Sequence, residues 1–318
     1  MVQLRVLITA YNRADFLNRC IASALRDANE MLDIRVLVMD NGSTDETSEV
    51  AASFGERVQV QRTPDNRHIV EVLNRGMTTL LADGAATHVL VMNDDTELAP
   101  GSAECLVAAS DARPCSLFTP LQLNFREPGR IDNNAYKHIL RARELIEDAV
   151  LGRPLRQTYP LPTIIGAAIF ARRDVWELVG EFDPLFWFYG IDDDLCARAR
   201  WLGCEILLAP GAYLYHAHGK LSEPPGPRDT RAVFHRWRNE TQARYLFLLK
   251  DPHHGLSRNV LRMLAAATGT SLACAMAPWP RGAWHALNIA AHCLARLPRI
   301  AATRRRHFDP ARRRAQDE

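Results

Sequence analysis

The chain lacks the signatures of several common protein classes. It has no C-x-x-C pair, and its seven cysteines (Cys20, Cys105, Cys115, Cys196, Cys204, Cys274 and Cys293) are scattered and odd in number. That usage fits reduced thiols in a cytosolic protein better than a disulfide framework or a zinc site. No G-x-G-x-x-G follows the first apolar run, so the dinucleotide fingerprint is missing, and no G-x-x-x-x-G-K-S/T loop is present to make a P-loop NTPase. No stretch matches the ~20 apolar residues of a spanning helix. The best candidate, Met263 to Trp279, is rich in Ala, Thr, Gly and Ser and ends in Pro278-Trp279-Pro280. It reads as a packed or membrane-surface helix. The N-terminus enters a strand at once, as Gln3-Leu4-Arg5-Val6-Leu7-Ile8, so no signal peptide is expected. There is no internal repeat and no low-complexity tract.

What is present is an ordinary globular composition. The 318 residues are 47% hydrophobic, enough for one large α/β domain, or one domain plus an appendage. The net charge of +2 hides an asymmetry. From Arg231 onward there are 16 Lys/Arg against 5 Asp/Glu, and before it 23 against 32. An acidic body with a basic tail suggests two jobs.

Along the body, apolar runs alternate with helical patterns. Strands are expected at 4–9, 34–39, 58–61 and 88–92, and helices at 14–27, 44–54 and 69–81. The second helix has Ser43 placed as its cap and Glu46 at capping-box spacing. This β-α-β-α-β-α-β order predicts an α/β fold with a largely parallel sheet and helices on both faces. All strand ends would then point one way, so that Thr9 to Asn12, Asp40 to Ser43 and Asn93 to Asp95 converge on one rim. After Pro100 the pattern changes. A polar, irregular stretch at 126–162 holds a helical piece near 136–150. A strand is expected at 163–171 and a helix at 173–179. A further helix runs from about 193 to 202, stopped by Gly203. Short strands are expected at 206–208 and 212–215. Residues 222–227 read as a loop or linker, and the remainder as helical and basic.

Three clusters can carry chemistry. Asn93-Asp94-Asp95 ends a strand, where hard oxygen ligands suit Mg²⁺ or Mn²⁺ shared with phosphates; an Asp-Asp there can equally be a solvated turn. Asp40, before Asn41-Gly42-Ser43, can accept from a base or ribose, or can simply form an Asx turn. Asp192-Asp193-Asp194 opens a helix whose dipole favours anions. Repulsion and the apolar wall of Phe186 to Tyr189 would raise a carboxyl pKa there, which suits a general base. His216, with His218 two residues on, is the fourth element, able to join a carboxylate around a divalent ion.

Together these stretches resemble glycosyltransferase family 2, over roughly residues 3–220. Thr9-Ala10-Tyr11-Asn12-Arg13 looks like the family's first nucleotide-contacting motif, and Asp40 like the residue that reads the base. Asn66 and Asn74-Arg75-Gly76 fall near its third helix. Asn93-Asp94-Asp95-Thr96 resembles the D-x-D element, with Asp95 as metal ligand and Asp94 beside the donor sugar or ribose. Gly166-Ala167-Ala168 resembles the sugar-side segment, Tyr189 to Leu195 the E-D-x-D-L motif, and Tyr215-His216 the closing metal-binding histidine.

The resemblance implies a GT-A fold in residues 1–220, with a basic helical extension at 221–318. It assigns the donor site to Thr9, Tyr11, Arg13, Asp40, Asn66, Asn74, Asn93, Asp94 and Gly166, the metal (Mg²⁺ or Mn²⁺) to Asp95 and His216, and the base to Asp192. The implied activity is inverting transfer from a UDP- or dTDP-type sugar to a glycan or lipid-linked acceptor, in bacterial cell-surface glycan assembly, with rhamnosyl- and galactosyl-type enzymes nearest. Two departures stand out. Ile191 replaces the Glu of the E-D pair, and Arg67-His68 replaces a small Leu-Gly.

Two other readings compete: a sugar-phosphate nucleotidyltransferase, which would want a Gly-rich basic loop after the first strand, and a nucleotide-binding scaffold without turnover, which only Ile191 favours. The basic tail, with Arg304 to Arg306, Arg312 to Arg314, Trp279 and Trp284, suits an anionic membrane surface, or else a solvated terminus. No nucleic-acid recognition motif accompanies the charge. The expected location is cytoplasmic, at the inner face of the cell membrane.

Overall fold

The computed structural model describes residues 1–127, 131–132, 158–218, 230–277 and 279–309. The helical piece expected near 136–150, the 222–227 linker and Arg312 to Arg314 lie outside them. Contacts divide the chain into two units: Met1–Phe182 with Leu195–Ser222, and Asp183–Asp194 with Glu223–Glu318.

The first unit is built on a nine-stranded sheet. Strands β1 (Val2–Ala10), β2 (Leu32–Asp40), β3 (Val58–Arg62) and β4 (His88–Asn93) lie parallel in the order β3-β2-β1-β4. β1, β2 and β4 are largely apolar runs buried on both faces, as strands in a covered parallel sheet must be, whereas the edge strand β3 (Val-Gln-Val-Gln-Arg) buries only Val58. The helices between them are α1 (Ala14–Leu25), α2 (Thr47–Ala52) and α3 (Ile69–Ala82). Leu17, Cys20, Ile21 and Ala24 of α1 join Leu4, Val6 and Ile8 in one core. On the other face α3 approaches β1 so closely that a Cβ on Gly76 would lie 2.4 Å from Leu7 Cδ1.

Beyond β4 the sheet becomes mixed, with β5 (Thr96–Leu98), β6 (Ser116–Asn124), β7 (Tyr159–Pro160), β8 (Ala168–Arg172) and β9 (Glu205–His216). The order continues β4-β8-β6-β9-β5, and β7 pairs with β9. β8 is antiparallel to β4, β6 parallel to β9, and β5 antiparallel to β9. Helices α4 (Ser102–Ala112) and α5 (Arg173–Val179) follow β5 and β8. Trp176 of α5 is fully buried, and its indole N–H donates to Val89 O at 3.1 Å.

Several local expectations are corrected. The second helix starts at Thr47, and Ser43 does not cap it: its Oγ accepts from the Asn12 N–H at 3.0 Å, while Asp45 Oδ1 accepts from Thr47 N at 3.1 Å. The two short strands near the end are one continuous strand, β9, bent at Gly211 (φ 74°). The strand expected from 163 begins at Ala168. β6 and α4 were not foreseen. Pro120 interrupts the β6 run, lacks the N–H a ladder needs, and sits where the β6–β9 register shifts.

Among its described residues the second unit has four long helices: α7 (Thr230–Lys250), α8 (Leu256–Met276), α9 (Pro280–Ala295) and α10 (Leu297–His307). It also takes the Asp183–Asp194 segment from the middle of the chain, including the first turn of helix α6 (Ile191–Trp201). Among the described residues no helix is long and apolar enough to cross a membrane.

Candidate active site

Strand register explains why the rim residues meet. Ala10 is level with Asp40 across β1 and β2, and Thr9 with Asn93 across β1 and β4. The loops leaving β1 and β2 are stitched together: Thr44 N–H donates to Asn12 Oδ1 at 2.7 Å, and Arg13 N–H to Thr47 Oγ1 at 3.0 Å. Asn12 takes a positive φ of 52°, which Asn tolerates better than most residues. Asp40 is fully buried. One carboxylate oxygen accepts from the Ser43 N–H at 2.8 Å and the other from the Ser48 hydroxyl. Its observed work is to fix the turn.

Beside it, Asn41 organises the loop after β3. Its carboxamide donates to Asn66 Oδ1 and to Arg67 O, both at 3.0 Å, and accepts from Arg67 N at 2.8 Å. Gly42 lets the two loops touch. Its φ is +77°, and a Cβ there would lie 2.5 Å from the backbone carbon of Asp65. The Arg67-His68 departure has a local explanation. Arg67 pairs with Asp65 at 2.5 Å, and His68 Nδ1 caps α3 by accepting from Val70 N at 3.2 Å.

The acidic corner lies at the end of β4. Withdrawal from water and the neighbouring Asp95 carboxylate push Asp94 up to about 7, against the Arg13 guanidinium and a hydrogen bond from the Tyr11 backbone. Tyr11, Arg13 and Asp94 are therefore one cluster. Among the described residues Arg13 Nη1, which is buried, has no hydrogen-bond partner, which leaves a cationic donor at the rim. Asp95 turns the chain into β5, whose first residue, Thr96, pairs directly with His216 of β9. That pairing brings His216 Nε2 to 3.5 Å from Asp95 Oδ1, with Ala217 N donating to Asp95 O at 3.0 Å.

His216 is buried; its Nδ1 lies 3.7 Å from Asp132 Oδ2 and has no hydrogen-bond partner among the described residues. Asp132 also holds His218 by a short hydrogen bond that raises the pKa of that imidazole. Asp132, His216 and His218 offer ligand atoms within 4.8 Å of one another. A carboxylate–imidazole set with a buried, unpartnered ring nitrogen fits a divalent cation of the Mg²⁺/Mn²⁺ kind.

Other expected residues are placed differently. The Asn74 carboxamide is engaged by the Phe182 backbone, donating to its O and accepting from its N, each at 2.9 Å. Asn66 is held by Asn41. Gly166 lies in the turn before β8, next to Ala167, whose carbonyl accepts from Asn93 N at 3.0 Å. Thr9, the last residue but one of β1, lies opposite Asn93. Asp192, half-buried, belongs to the second unit, where Asp193 N donates to its Oδ1 at 3.1 Å. The buried partner in that unit was not legible in sequence. The Lys250 ammonium, at the end of α7, lies between the Asp183 and Asp194 carboxylates, with His307 Nδ1 at 3.4 Å. Asp132 and Asn41 were missed as well.

Comparison with known proteins gives the family and the fold. A curated relative, the N-acetylglucosaminyl-diphospho-decaprenol L-rhamnosyltransferase of Mycobacterium tuberculosis, is 29% identical over 285 residues, covering 81% of this chain and 88% of its own. The validoxylamine A glucosyltransferase of Streptomyces hygroscopicus is 38% identical over 58 residues, covering 18% of this chain and 14% of its own. A crystal structure of GalNAc-T7 with UDP, GalNAc and Mn²⁺ superposes with a TM-score of 0.55 at 13% identity, covering 79% of this chain. The chain spans about half of that solved structure (51%), and the likeness shows the GT-A fold. The model of the family described as glycosyl transferase family 2 matches residues 5–179, more than half of the sequence. With that match the chain belongs to glycosyl transferase family 2, and it is a glycosyltransferase resembling the rhamnosyltransferases.

Proposed function

We propose that the rim of the first unit binds a nucleoside-diphosphate sugar, of UDP or dTDP type, and that the chain transfers the sugar to the hydroxyl of a lipid-linked diphosphate glycan. The likeness to the mycobacterial rhamnosyltransferase supports rhamnose as the sugar and bacterial cell-surface glycan assembly as the setting. The observation that carries the reading is the pair of unspent polar atoms at one corner, Arg13 Nη1 and His216 Nδ1, flanking Asp94 and Asp95. A buried guanidinium nitrogen without a partner is costly unless an anion completes it.

In this reading Arg13 receives a phosphate oxygen, and Asp94 lies beside the donor sugar or ribose. Asp95 and His216, supported by Asp132 and His218, hold Mg²⁺ or Mn²⁺. Such an ion, when bound, offsets charge developing on the departing diphosphate. Asp40 and Asn66 shape the base pocket through the turns they fix. Asp192 takes the proton of the acceptor hydroxyl as it attacks the anomeric carbon from the face opposite the diphosphate, so configuration inverts. Thermal melting with a panel of nucleotide sugars, with and without Mn²⁺, tests the donor half, because a ligand that binds only the folded state raises Tm. A Mn²⁺-dependent rise with a UDP or dTDP sugar is expected. No rise with any nucleotide sugar contradicts the reading.

A further inference from the structure

The second unit carries a feature that sugar transfer does not use. Helices α8 and α9 form a hairpin, with Ser271 Oγ donating to Ala283 O at 3.2 Å. Asn259, Met263, Ala267 and Cys274 are the buried face of α8. At helical spacing on the opposite face stand Leu261, Ala265, Thr268, Leu272 and Met276, all exposed and none charged. Leu261 is 67% exposed, Leu272 59% and Met276 88%; on α9, Trp284 is 65% exposed. A water-facing helix normally turns its charges outward, and this one presents a second apolar stripe. A monomeric protein rarely leaves such a surface uncovered.

The charges around the stripe identify what covers it. Residues 252–308 contain eight Arg and no Asp, Glu or Lys. Arg258 and Arg281, near the two ends of the stripe, are exposed, as are Arg299 and Arg305 of α10. A second copy of the same face would meet like charge with like, and nucleic acid would leave the apolar stripe unburied. An anionic bilayer satisfies both features, taking the apolar side chains below the headgroups and the guanidinium groups among the phosphates. Two arginines of the second unit do other work. Arg304 donates to the carbonyls of Asp251 and His254 just past the end of α7, and Arg262 pairs with Asp251.

We infer that the α8–α9 hairpin is a docking surface for an anionic phospholipid membrane, binding in the interfacial plane without spanning. This deepens the lipid-linked-acceptor reading above but is tested without any acceptor, so either can fail alone. The full-length protein is co-sedimented with vesicles of phosphatidylglycerol and phosphatidylcholine, and with vesicles of phosphatidylcholine alone. The expected result is pelleting with the anionic vesicles, weakened by salt. The triple variant Leu272→Ser, Met276→Ser, Trp284→Ser should lower the vesicle partition coefficient at least about tenfold, given the transfer energy of each lost side chain. Arg281→Glu should lower it with anionic vesicles. All four positions are exposed, so urea midpoints should match the parent. Equal pelleting of the triple variant and the parent, equal pelleting on neutral and anionic vesicles, or no pelleting of the parent would each overturn the inference.

Discussion

A general base that only accepts a proton can lose that capacity without disturbing how the donor is held. Asp192→Asn keeps the shape of the side chain and removes its basicity. Turnover should fall roughly 10²- to 10⁴-fold, with the affinity for the nucleotide sugar nearly unchanged, as measured by calorimetry beside initial rates. Equal loss of both would sink the role. A second titrating residue bears on stability instead. His88 is buried in β4, stacked on Phe170 and hydrogen-bonded to Thr87 Oγ1 at 2.9 Å and Ser110 Oγ at 3.1 Å. Burial lowers its pKa below the ordinary value. The unfolded chain therefore takes up a proton, as pH falls through about 6.5, that the folded chain resists. Stability should decline as pH falls below about 6.5, and His88→Gln should flatten that decline in urea titrations. An unchanged slope would show that other groups govern it.

At the scale of elements, much of the first half was legible. The strands ending at Ala10, Asp40 and Asn93 are apolar runs and the one ending at Arg62 alternates Val with Gln; helical periods separate them, and a parallel sheet with a common rim follows from that order. Asp94, Asp95 and His216 were legible as types of ligand. Their partners were not. Asp132 reaches His216 from an irregular polar segment, and no local pattern signals that contact. Asn41 looks like any turn residue until the loop after β3 folds onto it. β6 was hidden by Pro120, and Asp45 displaced Ser43 from the capping role because Ser43 is taken by Asn12.

The Lys250 cluster is also invisible in sequence, since it joins α7, α10 and the segment before α6. Lys250, Asp183 and Asp194 are each no more than 2% exposed. Lys250→Met leaves two buried carboxylates without their cation, which should cost about 3–5 kcal/mol in denaturant unfolding. A cost below about 1 kcal/mol would mean the cluster is not what fixes the Asp183–Asp194 segment. That segment carries Asp192, so the helical unit contributes to the proposed base as well as to the membrane face.

For the whole molecule, the acidic first unit and the basic second unit divide the labour proposed above, with donor chemistry in the first and lipid surface in the second. The most direct test is product analysis after incubation of the full-length protein with a UDP- or dTDP-sugar, Mn²⁺ and a polyprenyl diphosphate glycan. The account predicts release of free nucleoside diphosphate, matched by sugar gained on the lipid with inverted anomeric configuration, and lost when Asp95 or His216 is replaced by Ala. Release of pyrophosphate, retained configuration, or unchanged turnover in those variants would contradict it.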